Sequence, residues 1–198
     1  YGLSYTAFTL SIQGTELSGH RVSVRVAVKN TGVRPGKEVV QLYAAPKSPG
    51  LEKPYQSLVA FKKTKLLQPG EEQTLTLNFD AELFAVYHEQ RAVWQIDRGE
   101  YCLLCGTDSR TTAPCVVVTS PENIILEQCE NKLRGERVEE VQNLRSFDFP
   151  EKLAVLQLDP GAFDTIKHDY TKQPADDFGA LTETELATLC IGAARIDM

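Results

Sequence analysis

Several kinds of residue pattern are absent from this 198-residue sequence, and each absence excludes a class of protein. No stretch approaches the roughly 18 uninterrupted apolar residues that a transmembrane helix requires, so we expect no membrane partner. Neither half has a dense cluster of Lys and Arg, so we do not expect nucleic acid as a partner. Apolar residues make up 42% and charged residues 24%, values typical of a globular protein and not of a disordered chain.

The cysteines are few and irregularly spaced. There are five of them, at Cys102, Cys105, Cys115, Cys129 and Cys190. An odd, irregular set argues against the disulfide framework of a small secreted domain and favours a reducing compartment. We therefore expect a cytoplasmic protein.

Cys102 and Cys105 have the spacing of half a zinc site. They lie, however, in a segment that we predict to be a strand, where residues three positions apart point to opposite faces. Two such thiols do not converge on one ion, and a disulfide needs Cβ atoms about 3.5–4.5 Å apart. We therefore predict no metal site, no cofactor and no disulfide between these two residues. Three scattered histidines do not change this prediction: His20, His88 and His168.

Two features of the sequence bear on its organisation. The chain begins at Tyr1 and its only methionine is its last residue, Met198, so we expect an excised piece of a longer protein. The net charge of −6 is unevenly divided, because residues 1–119 hold 13 basic and 11 acidic residues whereas residues 120–198 hold 8 basic and 16 acidic. This shift predicts a domain boundary near Thr119.

Residues 1–119 predict a series of short β-strands. The clearest covers 21–29, where valines at every second position alternate with mostly polar residues, as in a strand with one buried face. Turn residues at 30–32 and 35–36 separate it from the next strand, at 38–45. About seven or eight such strands predict a mainly β chain with an immunoglobulin or fibronectin III-like β-sandwich. The other predicted strands lie around Phe8–Ile12, Leu58–Lys62, Leu75–Phe79, Trp94–Ile96, Tyr101–Cys105 and Cys115–Val118.

The pattern changes after residue 120. Residues 134–145 carry apolar residues at helical spacing, which predicts an amphipathic helix. Residues 146–180 contain prolines, glycines and scattered apolar residues, and their pattern assigns no secondary structure. Because so many apolar residues do not suit a solvated linker, we expect residues 120–180 to form an acidic connector that lies on the surface of another domain.

The end of the chain predicts a second, capped helix. Thr182 and Glu185 fit a capping box, and Leu181 and Leu186 fit a hydrophobic staple. A helix of about two to three turns is marginal alone in water. We therefore expect it to pack on a domain that follows this chain.

Several segments, in order over about 110 residues, are similar to one known domain. Together they resemble the fibronectin type III-like domain of family 3 glycoside hydrolases, the β-glucosidase group. Ala60 stands where that domain usually has glycine, and the run Thr107–Ser109 also departs from its pattern; both lie at turns or strand edges, so the fold prediction is unchanged. The similar segments are 1–8 (YGLSYTAF), 28–32 (VKNTG), 36–43 (GKEVVQLY), 54–62 (PYQSLVAFK), 67–71 (LQPGE), Trp94, 99–101 (GEY), Gly106 and Ser109–Arg110.

A second resemblance lies at the end of the chain. Residues 181–192 (LTETELATLCIG) are similar to the helix that opens the (β/α)8 catalytic barrel of the same family. Most family members place the barrel first and the fibronectin-like domain last, and a subset has the inverted order. The two resemblances imply an inverted-order enzyme, with a sandwich at 1–119, a connector at 120–180 and the start of the barrel at 181–198.

The resemblance also implies where the chemistry lies. A retaining glycosidase needs two carboxylates about 5–5.5 Å apart, one as nucleophile and one as acid/base. In this family they are implied to come from the barrel and from an α/β sandwich domain, and neither motif occurs in this sequence. We therefore assign no catalytic residue. We expect a non-catalytic module whose partners are the other domains of a parent that hydrolyses β-glycosides.

A carbohydrate-binding module is the main alternative, because β-sandwiches often present aromatic platforms to sugars. Aromatic residues make up only 8% of the sequence. Trp94 lies in an alternating strand at the family's core tryptophan position, so we expect it to be buried. Tyr55 and Tyr87 lie in predicted loops, where they reach either a ligand or a neighbouring domain. Coplanar exposed rings on one face favour sugar binding, and a buried Trp94 counts against it.

Overall fold

The computed structural model describes residues 5–47, 54–130 and 152–168, which form a β-sandwich. Short 3-10 helices lie at Ala81–Phe84 and Pro160–Ala162. No helix within these ranges is long and apolar enough to cross a bilayer. The strands are β1 (Phe8–Ser18), β2 (Arg21–Asn30), β3 (Val39–Pro46), β4 (Ser57–Lys63), β5 (Glu72–Asp80), β6 (Val86–His88), β7 (Val93–Ile96), β8 (Gly99–Gly106), β9 (Thr112–Ser120), β10 (Ile124–Gln128), β11 (Val155–Gln157) and β12 (Ile166–Lys167).

The strands form three sheets. A three-stranded sheet has the order β1-β2-β5, a five-stranded sheet the order β11-β9-β8-β3-β4, and a four-stranded sheet the order β12-β10-β7-β6. Neighbouring strands pair antiparallel except for β11 on β9 and β12 on β10, which are parallel. The predicted mainly β fold is confirmed.

The main core lies between the sheets, and β2 shows how the sequence builds it. Its four valines are fully buried, and its arginines and Lys29 are exposed on the opposite face. The valines belong to one cluster with inward residues of β3, β5, β8 and β9. The predicted period of two therefore places one apolar face of β2 in the core, as expected for a sandwich.

The turn after β2 depends on the side chain of Asn30, which is fully buried. Its Nδ2 donates to the carbonyl oxygens of Arg34 and Leu67, at 2.8 and 2.9 Å, and its Oδ1 accepts from the Thr6 hydroxyl at 2.7 Å. Gly32 packs so closely here that an added Cβ would lie 2.1 Å from Thr6 Oγ1. The buried side chain of Asn30 thus joins three loops, and the residue types at Asn30 and Gly32 follow from hydrogen bonding and from space, respectively.

The sandwich does not end near Thr119, where the charge shift predicted a boundary. β10 follows at once, and residues 152–168, which we call the strap, also pack on the sandwich. The backbone N–H of Leu158 donates to the carbonyl of Thr119 at 2.9 Å, and the Leu158 side chain is only 1% exposed within the main core. β10 and the strap, which lie within the connector predicted at 120–180, thus pair with the sandwich itself: β10 with β7, and the strap with the edges of β9 and β10.

The second half of the strap reaches the four-stranded sheet. The ring of Phe163 lies 6.0 Å from the ring of His20, in the turn between β1 and β2, and the Thr165 hydroxyl donates at 2.8 Å to the carbonyl of Ile125 in β10 of the four-stranded sheet. The strap therefore extends one sheet through β11 and another through β12.

The chain divides into compact units at 1–167 and 168–198, and of the second unit only His168 lies within the described residues. The helices predicted at 134–145 and 181–192 lie outside the described residues.

Candidate functional site

Several carboxylates of the sandwich are engaged as structural partners. Asp80 accepts two hydrogen bonds from the guanidinium of Arg21, at 2.8 and 3.2 Å, which hold the pKa of its carboxyl below the usual value. Lys65 lowers the pKa of Glu71 in the same way, and two backbone N–H groups of the following turn lower the pKa of Asp108. The general acid of a glycosidase needs a raised pKa. These three groups therefore hold loops in place and are poorly suited to donate a proton.

A polar cluster lines a cavity of about 280 Å³ beside the β6–β7 hairpin. His88 Nε2 lies 2.7 Å from Asp97 Oδ1, and the Gln95 amide donates to the same oxygen at 2.7 Å. Arg91 Nη1 donates to Gln95 Oε1, also at 2.7 Å, and Gln95 is almost fully buried. These groups bond to one another and brace a turn in which Ala92 has a φ of 51°. From the sequence alone, His88 is one of three scattered histidines. The only sign of this cluster in the sequence is that His88 and Asp97 lie on either side of the strand predicted at 94–96.

Cys102 and Cys105 diverge as predicted. Cys105 belongs to the main core, whereas Cys102 lies in a separate cluster on the other face of the five-stranded sheet. Burial raises the pKa of each thiol to about 11, so both stay protonated at neutral pH, and it is the thiolate that binds metal. Cys115 also has a raised pKa because it is buried, and its Sγ lies 3.2 Å from the carbonyl of Leu103. Within the described ranges no three His, Cys, Asp or Glu side chains are grouped to hold a metal ion.

The prediction that Trp94 is buried is wrong. Trp94 is 43% exposed, and within β7 only Ile96 belongs to the main core. Ile96 pairs with Ile124 of β10. Trp94 lies two residues earlier in β7 and pairs with Glu127 of β10 and Tyr87 of β6. Val93 and Gln95, on the opposite face of β7, are each 1% exposed, so only the face that carries the indole is left uncovered here, and the indole packs against the ring of Tyr87.

Trp94, Tyr87 and Tyr55 do not form a flat platform. The rings of Trp94 and Tyr87 are 5.5 Å apart but inclined by 52°, and Tyr87 lies in β6 and not in the predicted loop. Tyr55, which is 50% exposed, precedes β4 in a different sheet. The coplanar arrangement expected of a sugar-binding face is therefore not made by these three residues.

Trp94→Ala should destabilise the sandwich only modestly. Much of the indole already contacts water, and its pairing with Tyr87 accounts for about 0.5–1.5 kcal/mol. Urea denaturation should therefore show a loss well below the roughly 3–5 kcal/mol typical of a buried aromatic side chain. A loss in that higher range would mean that Trp94 is part of the core.

Comparison with known proteins identifies the sandwich. A model of the fibronectin type III-like domain family matches residues 38–109. A β-glucosidase of Ruminococcus albus is 37% identical over 138 residues, and the solved structure of a Paenibacillus barengoltzii β-glucosidase superposes with a TM-score of 0.62 at 38% identity. The solved structure of a family 3 (GH3) β-glucosidase from Bifidobacterium adolescentis gives a TM-score of 0.55 at 32% identity. This chain carries the fibronectin type III-like domain of family 3 glycoside hydrolases.

The fibronectin-like domain is a small part of each relative. The matches cover 67%, 66% and 60% of this chain, but only 14%, 16% and 18% of the Ruminococcus, Paenibacillus and Bifidobacterium proteins. The chain thus spans less than a fifth of the length of these relatives. The family match at 38–109 begins just before β3 and ends after β8, so the fibronectin-like sandwich described above extends beyond it on both sides.

Proposed function

We propose that this chain is a non-catalytic structural module of a larger β-glucosidase-type enzyme, in which the fibronectin-like domain packs against the catalytic domains. The observation that carries the proposal is the similarity to β-glucosidases at 37–38% identity over two thirds of the chain. In those proteins more than four fifths of the polypeptide lies outside the matched region. The parent of this chain has its catalytic carboxylates in that remainder and cleaves terminal β-glycosidic bonds.

The side chains of the sandwich support a structural role. Asp80, Glu71 and Asp108 are held ionised by neighbouring donors, and the polar cluster around Asp97 bonds within itself. The alternative of a carbohydrate-binding module is less well supported, because the ring of the exposed Trp94 is inclined to that of the half-buried Tyr87 and the two are not coplanar.

The proposal includes the parent's domain order and compartment. The chain continues from the fibronectin-like domain into a (β/α)8 barrel, whose first helix is predicted at 181–198, outside the described residues. Residues 169–180, the part of the predicted acidic connector at 120–180 that follows the strap, link the sandwich to that helix. The parent works in the cytoplasm, a reducing compartment, which suits the odd number of cysteines and the lack of a disulfide among the four cysteines of the described residues.

The purified 198-residue chain should not hydrolyse nitrophenyl β-glucoside. A retaining glycosidase needs a carboxylate pair about 5–5.5 Å apart, and neither motif that supplies the pair occurs in this sequence. The assay compares the chain with a mock purification from the same host and with the intact parent enzyme. We expect only the parent enzyme to release nitrophenol. Turnover by the chain above the mock level would contradict the non-catalytic role, and an inactive parent would contradict the proposed enzyme class.

A further inference from the structure

The five-stranded sheet is apolar on both faces. Its inner face contributes to the main core, and its outer face carries a second buried cluster made of Tyr43, Ala45, Cys102 and Leu104. Cys102 and Leu104 are at most 1% exposed. A sheet in a sandwich needs only one apolar face, and the other normally contacts water. At this cluster the outer face is therefore covered by protein and not by water.

One side of this outer face is covered by a later part of the same chain. Leu153, in the strap just before β11, packs against the buried cluster. β11 then pairs with β9, so that Val155 lies beside Val117. The contact shows that the outer face accepts apolar side chains from elsewhere in the polypeptide.

The opposite side of the outer face is apolar and exposed. In the pairing of β3 with β4, Leu58 lies opposite Tyr43 and Phe61 lies opposite Gln41. Directly paired residues share a face, so Leu58 and Phe61 continue the buried cluster toward the edge. They are 48% and 69% exposed, respectively. We call these two residues the β4 patch.

The surroundings of the β4 patch fit a protein surface better than a sugar. The nearby amide of Gln41 already donates to the carbonyl of Thr107 at 2.8 Å and accepts from the Tyr43 hydroxyl. A sugar site needs polar groups placed to bond the ligand. Lys62 and Lys63 at the end of β4 discourage pairing of this edge with a strand of another molecule. Contact through the face of the sheet therefore fits better than contact through its edge.

We propose that the β4 patch, with the outer face of the five-stranded sheet behind it, docks on the catalytic part of the same polypeptide. The proposal rests on the proposed function and names the surface involved. The partner is an apolar protein surface, since the β4 patch is continuous with a cluster that an intrachain residue, Leu153, already contacts. Most of the polypeptide of the relatives lies outside the region that this chain matches, so the parent has ample surface to supply it. Contiguous exposed apolar residues of this kind mark interaction sites.

Cysteine labelling tests the proposal on intact proteins. Phe61→Cys is introduced into the 198-residue chain and into the parent enzyme, and maleimide labelling at position 61 is followed by peptide mass spectrometry. We expect labelling in the parent to be at least about tenfold slower than in the chain alone, because a buried site reacts only through local opening. Val33→Cys, at an exposed loop position on neither β4 nor the outer face, is the matched control and should react equally in both proteins.

Two results would overturn the docking surface. Equal labelling of position 61 in the chain and in the parent would show that nothing covers it. Protection in the chain alone that increases with protein concentration would show that a second copy covers it. Nitrophenyl glucoside hydrolysis by the wild-type parent reports separately on the proposed function, so the two failures are distinguishable.

A double substitution gives a second readout that does not depend on labelling. Leu58→Ser with Phe61→Ser should lower the melting temperature of the 198-residue chain only slightly, because about half or more of each side chain is exposed there. In the parent it should lower the melting temperature by several degrees. Val33→Ser with Leu83→Ser, also at exposed apolar positions, should change neither protein. An unchanged parent would count against the docking surface.

Discussion

Leu158→Ala should lower the free energy of unfolding of the sandwich by about 2–5 kcal/mol, the usual cost of removing a buried leucine side chain. Leu158 is 1% exposed and belongs to the main core, although it follows a strand of only three residues. The substitution leaves a cavity between the strap and the sheets. Urea denaturation followed by circular dichroism measures the loss.

Val155→Ala is the matched control for Leu158→Ala. Val155 lies in β11, just before Leu158, but is exposed, so its truncation should cost well under 1 kcal/mol, as is usual for surface substitutions. Equal denaturation midpoints for the two variants would show that the strap is not part of the folded sandwich. That result would instead support the prediction that the acidic connector at 120–180 lies on another domain.

Phe84→Ala should cost about 3–5 kcal/mol, the typical cost for a buried phenylalanine. The Phe84 ring stacks on the ring of Tyr101, with centroids 4.6 Å apart and planes inclined by 6°. It also meets Phe79 edge-on at 5.6 Å. The ring joins β5 and β8, which lie in different sheets, so its loss weakens the contact between the sheets.

Leu83→Ala is the neighbouring control in the same 3-10 helix. Leu83 is exposed, so its removal should shift the thermal midpoint little. Thermal unfolding of both variants, followed by circular dichroism, separates loss of the ring from a change in the helix itself. Comparable losses in the two variants would mean that the helix, and not the aromatic stack, accounts for the effect of Phe84→Ala.

The strands in the first part of the chain could be predicted because their signals are local. The valines at every second position of β2, and the turn residues on either side, determine which residues face inward wherever the strand packs. Strands were also predicted correctly at β3, β5 and β8. β11 and β12, with three and two residues, carry no such period, and they pair in parallel with strands distant in sequence.

The features that concern function were only partly predictable. The divergence of Cys102 and Cys105 follows from the strand period alone and is confirmed. The exposure of Trp94 could not be inferred from alternation, because a strand shows which residues share a face but not where the opposing layer ends. The pairing of His88 with Asp97 likewise depends on the hairpin that brings them to 2.7 Å.

What the sequence determined by itself was the mainly β class, the positions of the long strands and the likeness to the fibronectin-like domain of family 3 glycoside hydrolases. These depend on local periodicity and turn chemistry, which act over a few residues. Only the tertiary structure decided that the strap completes two sheets, that Leu158 enters the core and that Trp94 lies outside it. The exposed position of Leu58 and Phe61 was decided in the same way, because burial depends on which distant element covers a face, and a strand's own residues do not encode that element.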